Sequence, residues 1–132
     1  MNTQTEIDAV LALHTWAVVG LGNNPERAAF GVAKLLQEKG HRIIPVYPRA
    51  ETVHGEVGYK TLSEVPHAID VVDCFVNSER VGEVVDEAIA IGAKAVWLQL
   101  DVIDTDAVAR AQAAGLLTVM DRCPAIEYRA RG

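Results

Sequence analysis

The sequence lacks several features that mark whole classes of protein. It has only two cysteines, Cys74 and Cys123, so neither a disulfide framework nor a cysteine metal site is expected. The four histidines show no ligand spacing, and we expect no metal. No run reaches the roughly 20 apolar residues of a membrane-spanning helix, and the first residues lack a basic and apolar leader. These absences predict a cytoplasmic protein with reduced thiols.

Positive charge is also scarce. Twelve Lys and Arg residues stand against 18 Asp and Glu residues, which gives a formal net charge of -6 at pH 7. Such a field repels nucleic acid and anionic membranes, so neither is expected as a partner. An anionic ligand would have to be held by local groups. Hydrophobic residues make up 50% of the 132 positions, which is enough for one compact domain spanning residues 1–132.

What the sequence does contain is a regular alternation of apolar runs and helical stripes, typical of a parallel sheet wrapped by helices. The runs predict strands at residues 16–20, 42–46, 71–75, 95–98 and 117–120, with a short edge strand at 56–59. Right-handed crossovers restrict the strand order to about 3-2-1-4-5, with the edge strand counted. The sequence therefore predicts an α/β fold, a single doubly wound Rossmann-like domain with a mostly parallel sheet of five or six strands.

Turn and cap residues predict where the helices begin and end. One helix is expected at residues 5–13, before the sheet, and the others between the strands. Asn24 is predicted as an N-cap with Pro25 at the first helical position, and Ser78 as the cap of a later helix. The predicted C-terminal stops are Gly40, Gly92 and Gly115.

The turn after the first strand carries the strongest functional signal. Gly20 and Gly22 match the first two glycines of the dinucleotide-binding fingerprint G-x-G-x-x-G, and Pro25 stands at the third position. Glycine lets a ligand approach the main chain, and a following helix offers unpaired N–H groups to an anion. The turn therefore predicts a phosphate-binding loop over residues 20–27.

The end of the second predicted strand indicates which nucleotide would bind. An NAD site has Asp or Glu there to bind the ribose hydroxyls. Here the sequence reads Val46-Tyr47-Pro48-Arg49, so the acid is absent and a cation stands nearby. This pattern favours a ligand with an additional ribose phosphate, and both NADP and coenzyme A (CoA) have one.

Four segments resemble a known family. They are residues 18–27, 42–46, 90–100 and 119–127, the last of which reads VMDRCPAIE. In these segments the chain resembles the small single-domain CoA-binding proteins, which are similar to the amino-terminal domain of the succinyl-CoA synthetase alpha subunit. The resemblance implies a Rossmann-like fold that binds CoA or an acyl-CoA. The implied CoA-binding residues are Gly20, Leu21, Gly22, Asn23, Asn24, Arg27, Val46, Tyr47, Pro48, Arg49, Phe75 and Val76.

The chain has no room for a substrate domain, so we expect binding without catalysis. Asp70, Asp73 and Asp101 are the acids expected near the site edge, and no nucleophile completes a catalytic set with them. Two alternatives stay open. Gly31, Val76 and Asp101 differ from residues common in relatives, which favours an interaction module that has lost its ligand. The other alternative is a small NADP-dependent reductase. A homodimer or an unidentified protein partner also stays open.

Overall fold

The computed structural model describes residues 2–132, and in this range five strands and five α-helices alternate along the chain. The strands are β1 (Thr15–Val19), β2 (Arg42–Val46), β3 (Val71–Cys74), β4 (Ala95–Leu98) and β5 (Leu117–Val119). The helices are α1 (Gln4–Leu11), α2 (Ala28–Glu38), α3 (Ser78–Ala90), α4 (Thr105–Ala113) and α5 (Pro124–Ala130), with a single 3-10 turn at Leu62–Glu64.

The five strands form one parallel sheet in the order β2-β1-β3-β4-β5. This confirms the predicted doubly wound Rossmann-like fold. The predicted edge strand makes only one bridge to the sheet, between Val46 and Tyr59, and its Glu56 bridges Val53 within the same segment. Pro45 accepts a hydrogen bond from the Tyr59 N–H at 3.0 Å, but it has no N–H of its own to offer on that side. Counted as a strand, this segment would complete the predicted order 3-2-1-4-5.

Both faces of the sheet are covered by helices. Trp16 and Trp97 lie on the face that packs against α1, α2 and α5, and their ring centroids are 5.6 Å apart. Val72 and Leu98 lie on the other face, against α3 and α4. A sheet buried on both sides favours apolar residues on both faces of its strands, which is why most strand positions are apolar, with Asp73 and Thr118 as buried polar exceptions.

The start of α2 differs from the prediction. The predicted cap at Asn24 is wrong, because α2 begins at Ala28 and Arg27 occupies the N-cap position without a side-chain cap bond. The Asn24 Oδ1 atom instead accepts a hydrogen bond from the Glu26 N–H at 3.0 Å. Asparagine readily closes such a turn onto its own backbone two residues later. Because of this turn, α2 begins three residues later than predicted, and residues 20–27 form an irregular loop.

The cap of α3 also differs by one residue. Asn77, not Ser78, is the N-cap, and its Oδ1 atom accepts from the Arg80 N–H at 3.0 Å. The Ser78 hydroxyl accepts from the Ile103 N–H at 2.9 Å and so fixes the loop after β4. Positive φ angles of 94°, 77° and 90° confirm the predicted helix stops at Gly40, Gly92 and Gly115.

Candidate functional site

The loops at the carboxyl ends of β1, β2 and β3 enclose a cavity of about 810 Å³. This volume lies in the range of ligand pockets in proteins. The cavity is at the switch point of the sheet, where β1 has β2 on one side and β3 on the other. Eight residues of the predicted site line it: Gly20, Arg27, Val46, Tyr47, Pro48, Arg49, Phe75 and Val76.

A smaller cavity of about 390 Å³ adjoins the first. The two share lining residues, and the second one extends the site over the glycine loop. Its lining adds three more residues that the sequence predicts, together with one that it does not. The predicted ones are Gly22, Asn23 and Asn24, and the additional one is Glu51.

Gly20 fixes the geometry where the two cavities meet. Its N–H donates to the Val46 carbonyl at 2.8 Å, which joins the ends of β1 and β2. Its φ is +101°, and an added Cβ would lie 2.4 Å from the Phe75 carbonyl oxygen. No other residue type fits both conditions without moving the backbone. The close approach of Gly20 to the end of β3 therefore sets the shape of the site.

Leu21 is the one predicted residue that lines neither cavity. Its side chain is fully buried in the core cluster formed with α1, α2 and α5. The side chain anchors the start of the loop, while Gly22, Asn23 and Asn24 pass over the site. The glycine motif describes the backbone of the loop. It could not show that the Leu21 side chain is buried while later residues of the loop are exposed.

The site contains a cluster of positive charge in an otherwise acidic protein. Arg27, Arg49, Lys60 and Arg80 line the large cavity. Within residues 2–132, none of these four side chains forms an ion pair. Glu83 and Glu87 line the same cavity, so its lining carries four cations and two carboxylates. This excess of cations produces a local positive potential. The cleft is therefore suited to a ligand with several negative charges.

Sequence reasoning missed part of the cavity wall. The additional residues are Val19, Lys60, Thr61, Asn77, Arg80, Glu83, Val84 and Glu87. Arg80 lies in the first turn of α3, where a cation opposes the positive end of the helix dipole. This unfavourable placement is visible in the sequence, and it is the local signal by which Arg80 could have been identified as a candidate site residue. Lys60 carried no comparable signal, because the bridge at Tyr59 that positions it is a tertiary contact.

The three aspartates that the sequence places near the site edge line neither cavity. Asp70 is at the opposite end of β3, where it accepts from the Thr15 N–H at 3.0 Å and pairs with Lys94 at 3.3 Å. Burial favours a higher pKa for Asp70, but these hydrogen bonds outweigh it and lower the pKa. Asp73 is fully buried in the sheet, and Asp101 lines neither cavity. The expectation is therefore wrong for Asp70. Asp101 follows β4, and its carbonyl accepts from the Ser78 hydroxyl at 3.3 Å, beside the start of α3.

Residues 2–132 contain no candidate metal centre. In that range no group of three or more His, Cys, Asp or Glu side chains could hold a metal ion. No helix of the described chain is long and apolar enough to cross a bilayer. Cys123 is a free thiol at the N-cap of α5, half-buried against the core, and it lines neither cavity.

The model of a family described as "CoA binding domain" matches residues 14–129. The uncharacterized protein YneT of Bacillus subtilis is 33% identical over 107 residues, which cover 81% of this chain and 79% of that protein. The acetate–CoA ligase (ADP-forming) II subunit alpha of Pyrococcus furiosus is 33% identical over 81 residues, which cover 61% of this chain and only 18% of that subunit.

Two solved structures have the same fold over nearly the whole chain. A hypothetical protein from Pyrococcus horikoshii superposes with a TM-score of 0.91 at 37% identity, over 97% of this chain and 91% of that one. A Thermus thermophilus protein superposes with a TM-score of 0.88 at 29% identity, over 97% and 98% of the two chains. The match over nearly the whole length, together with the glycine loop and cleft, shows that this chain belongs to the CoA binding domain family.

Proposed function

We propose that this protein binds CoA or an acyl-CoA in the two adjoining cavities, without catalysing a reaction. The observation that carries the proposal is the cluster of four cations that line the large cavity, none of which forms an ion pair within residues 2–132. CoA carries a diphosphate and a ribose 3′-phosphate, so it presents several negative charges along one face. A cleft with this charge, at the switch point of a sheet in this family, suits that ligand.

The loop over residues 20–27 is proposed to hold the diphosphate. Gly22 and Asn23 line the smaller cavity, where backbone N–H groups can donate to phosphate oxygens, and Arg27 borders both cavities. Charge-assisted hydrogen bonds of this kind contribute about 1.5–3 kcal/mol each. The loop thus offers backbone donors and one guanidinium to the diphosphate.

Arg49 is proposed to bind the ribose 3′-phosphate. It follows β2, at the place where an NAD site has an acid, and it borders both cavities. Lys60 and Arg80 line the large cavity and add charge to the same ligand. A guanidinium matches a phosphate in a bidentate manner, so Arg49 can select for the additional phosphate and not merely for charge.

Phe75 and Val76 are proposed to line the path of the adenine or the pantetheine chain. Val84 of α3 lies on the same cavity wall and adds apolar surface. Among the carboxylates of residues 2–132, only those of Glu83 and Glu87 line the large cavity. The lining contains no histidine, cysteine or serine from these residues. The hydroxyls of Tyr47 and Thr61 therefore have no histidine base beside them in the lining, which is consistent with a binding role.

We also propose a cytoplasmic location for the chain and a small-molecule ligand as its main partner. The two cysteines are free thiols, which suits a reducing compartment. Fractionation of cells that express the chain tests the location. A membrane or extracellular pool would contradict it.

Native mass spectrometry of gently purified protein tests the proposed ligand. We expect an added mass equal to CoA or to an acyl-CoA, released on denaturation. An added mass equal to NADP would support a small reductase instead. Protein that carries no ligand, and gains none when CoA is added, would support an interaction module.

A further inference from the structure

A carboxylate of the protein already occupies the glycine loop. Glu51 lies in the segment after β2, and its Oε1 atom accepts from the Asn23 N–H at 3.3 Å. The same oxygen lies 2.8 Å from the position where a Cβ on Gly22 would be. Glu51 also lines the smaller cavity together with Arg27 and Arg49. An anion of the protein therefore stands where the diphosphate is proposed to bind.

The backbone around Glu51 is held firmly in place. The Ala50 N–H closes a turn onto the Tyr47 carbonyl at 2.8 Å, and Ala50 has a φ of +51°. The Glu51 carbonyl oxygen lies so close to Gly58 that a Cβ there would be 2.1 Å away. This packing against Gly58 leaves the side chain as the part that can move.

A second contact links the same two segments. The Asn23 side-chain amide donates to the Thr52 carbonyl at 2.7 Å. Asn23 thus donates its backbone N–H to Glu51 and its side-chain amide to Thr52. These two hydrogen bonds from Asn23 join the loop to the segment after β2 and hold Glu51 beside the loop.

A carboxylate and a phosphate seek the same partners, namely backbone N–H groups and guanidinium groups. They cannot share one N–H donor, and two anions in one small cavity repel each other. A ligand phosphate that enters this cavity must therefore displace the Glu51 carboxylate. The cost of displacement is subtracted from the affinity for the ligand.

We propose that Glu51 is an internal competitor for the diphosphate position of the site. The inference rests on the proposed function, and it adds that the free protein holds its loop in a pre-formed shape with its own anion. Glu51 lowers the affinity for every anionic ligand and excludes those that bind only weakly, such as free inorganic diphosphate. On ligand binding the side chain leaves the loop, and the Asn23 N–H passes from carboxylate to phosphate.

Calorimetric titration of the wild-type chain, Glu51→Gln and Glu56→Gln with CoA and with inorganic diphosphate tests this inference. Glutamine keeps the size of the side chain and removes its charge. Glu56 lies in the same loop, outside the two cavities, so its variant makes an equal change in net charge as a control. Circular dichroism and thermal unfolding confirm that all three fold.

We expect Glu51→Gln to bind CoA about tenfold more tightly than the wild-type chain, with Glu56→Gln unchanged. Binding of inorganic diphosphate by Glu51→Gln, but not by the wild-type chain or Glu56→Gln, would support the inference in a stronger form. Equal affinities in all three proteins, or weaker binding by Glu51→Gln, would overturn the inference and leave CoA binding intact. A gain of the same size in Glu56→Gln would also overturn it, since net charge would explain the effect. Absence of CoA binding in every protein would overturn the proposed function itself.

Discussion

Asp73 on β3 accepts a 2.6 Å hydrogen bond from the Gln99 side-chain amide through Oδ1, while its Oδ2 atom is buried without a partner among residues 2–132. Both residues are buried behind the candidate site. Burial raises the pKa of Asp73 to about 7, although the bond from Gln99 acts in the opposite direction. The folded state therefore keeps this carboxyl protonated at pH values where the unfolded chain loses the proton.

The first prediction concerns this carboxyl. Because its pKa is raised on folding, Asp73 stabilises the fold below pH 4, and that contribution is lost as the pH rises toward 7. The loss is at most about 1.4 kcal/mol per pH unit. We expect Asp73→Asn to remove this slope and to be more stable than the wild-type chain at pH 8. Urea unfolding at several pH values measures it, and parallel curves for the two proteins would contradict it.

The second prediction concerns His41. Its two ring nitrogens contact the Leu13 carbonyl and the Tyr128 hydroxyl, which fastens α5 to the core. Burial lowers the pKa of His41, so the folded state disfavours the charged ring. Stability from this group is present above pH 6.5 and is lost as the pH falls toward the lowered pKa.

His41 and Asp73 therefore act in opposite directions between about pH 4 and 6.5. In Asp73→Asn, where only the histidine slope remains, we expect stability to fall as the pH is lowered through this range. His41→Gln in the same background should flatten the curve. A curve that is already flat in Asp73→Asn would exclude His41 as the group responsible.

The third prediction compares two glycines. Alanine at Gly20 places a Cβ 2.4 Å from the Phe75 carbonyl oxygen at a φ of +101°, which should cost about 2–4 kcal/mol of unfolding free energy. Gly31 lies inside α2 with open space at its Cβ position. Gly31→Ala should therefore stabilise the chain by about 0.5–1 kcal/mol. Thermal unfolding of both variants measures the contrast, and similar effects in the two would contradict it.

The fourth prediction concerns Arg49. If this guanidinium binds the 3′-phosphate, Arg49→Ala should weaken CoA binding about tenfold to a hundredfold and leave dephospho-CoA nearly unchanged. Arg129→Ala, on the far end of α5 and outside both cavities, serves as the control for charge alone. Equal losses for CoA and dephospho-CoA would remove Arg49 from that role.

The parallel sheet could be predicted because most strand positions are apolar, a pattern set by burial on both faces. Helix starts were harder to predict. Asn24 and Ser78 are both good cap residues by type, yet their side chains serve a local turn and the loop after β4. Helix α5 was not predicted at all, because its seven residues are positioned by Tyr128 and other tertiary contacts.

In the candidate site, too, some residues could be predicted from a local sequence pattern and others are positioned only by tertiary contacts. The loop glycines and Arg49 could be found because they follow predicted strands, whose carboxyl ends meet at one edge of the sheet. Lys60 and Glu51 reach the site through the return of the chain after β2, which depends on the bridge at Tyr59 and the packing against Gly58. These are long-range contacts with no local pattern in the sequence.

The central claim is that the cleft binds CoA, and calorimetric titration of the wild-type chain with CoA, acetyl-CoA and NADP tests it most directly. We predict saturable binding of CoA and acetyl-CoA with one site per chain, and weaker or no binding of NADP. Absence of heat and of any bound ligand for both CoA forms, at concentrations up to about 1 mM (a free energy of about -4.1 kcal/mol), would contradict the claim.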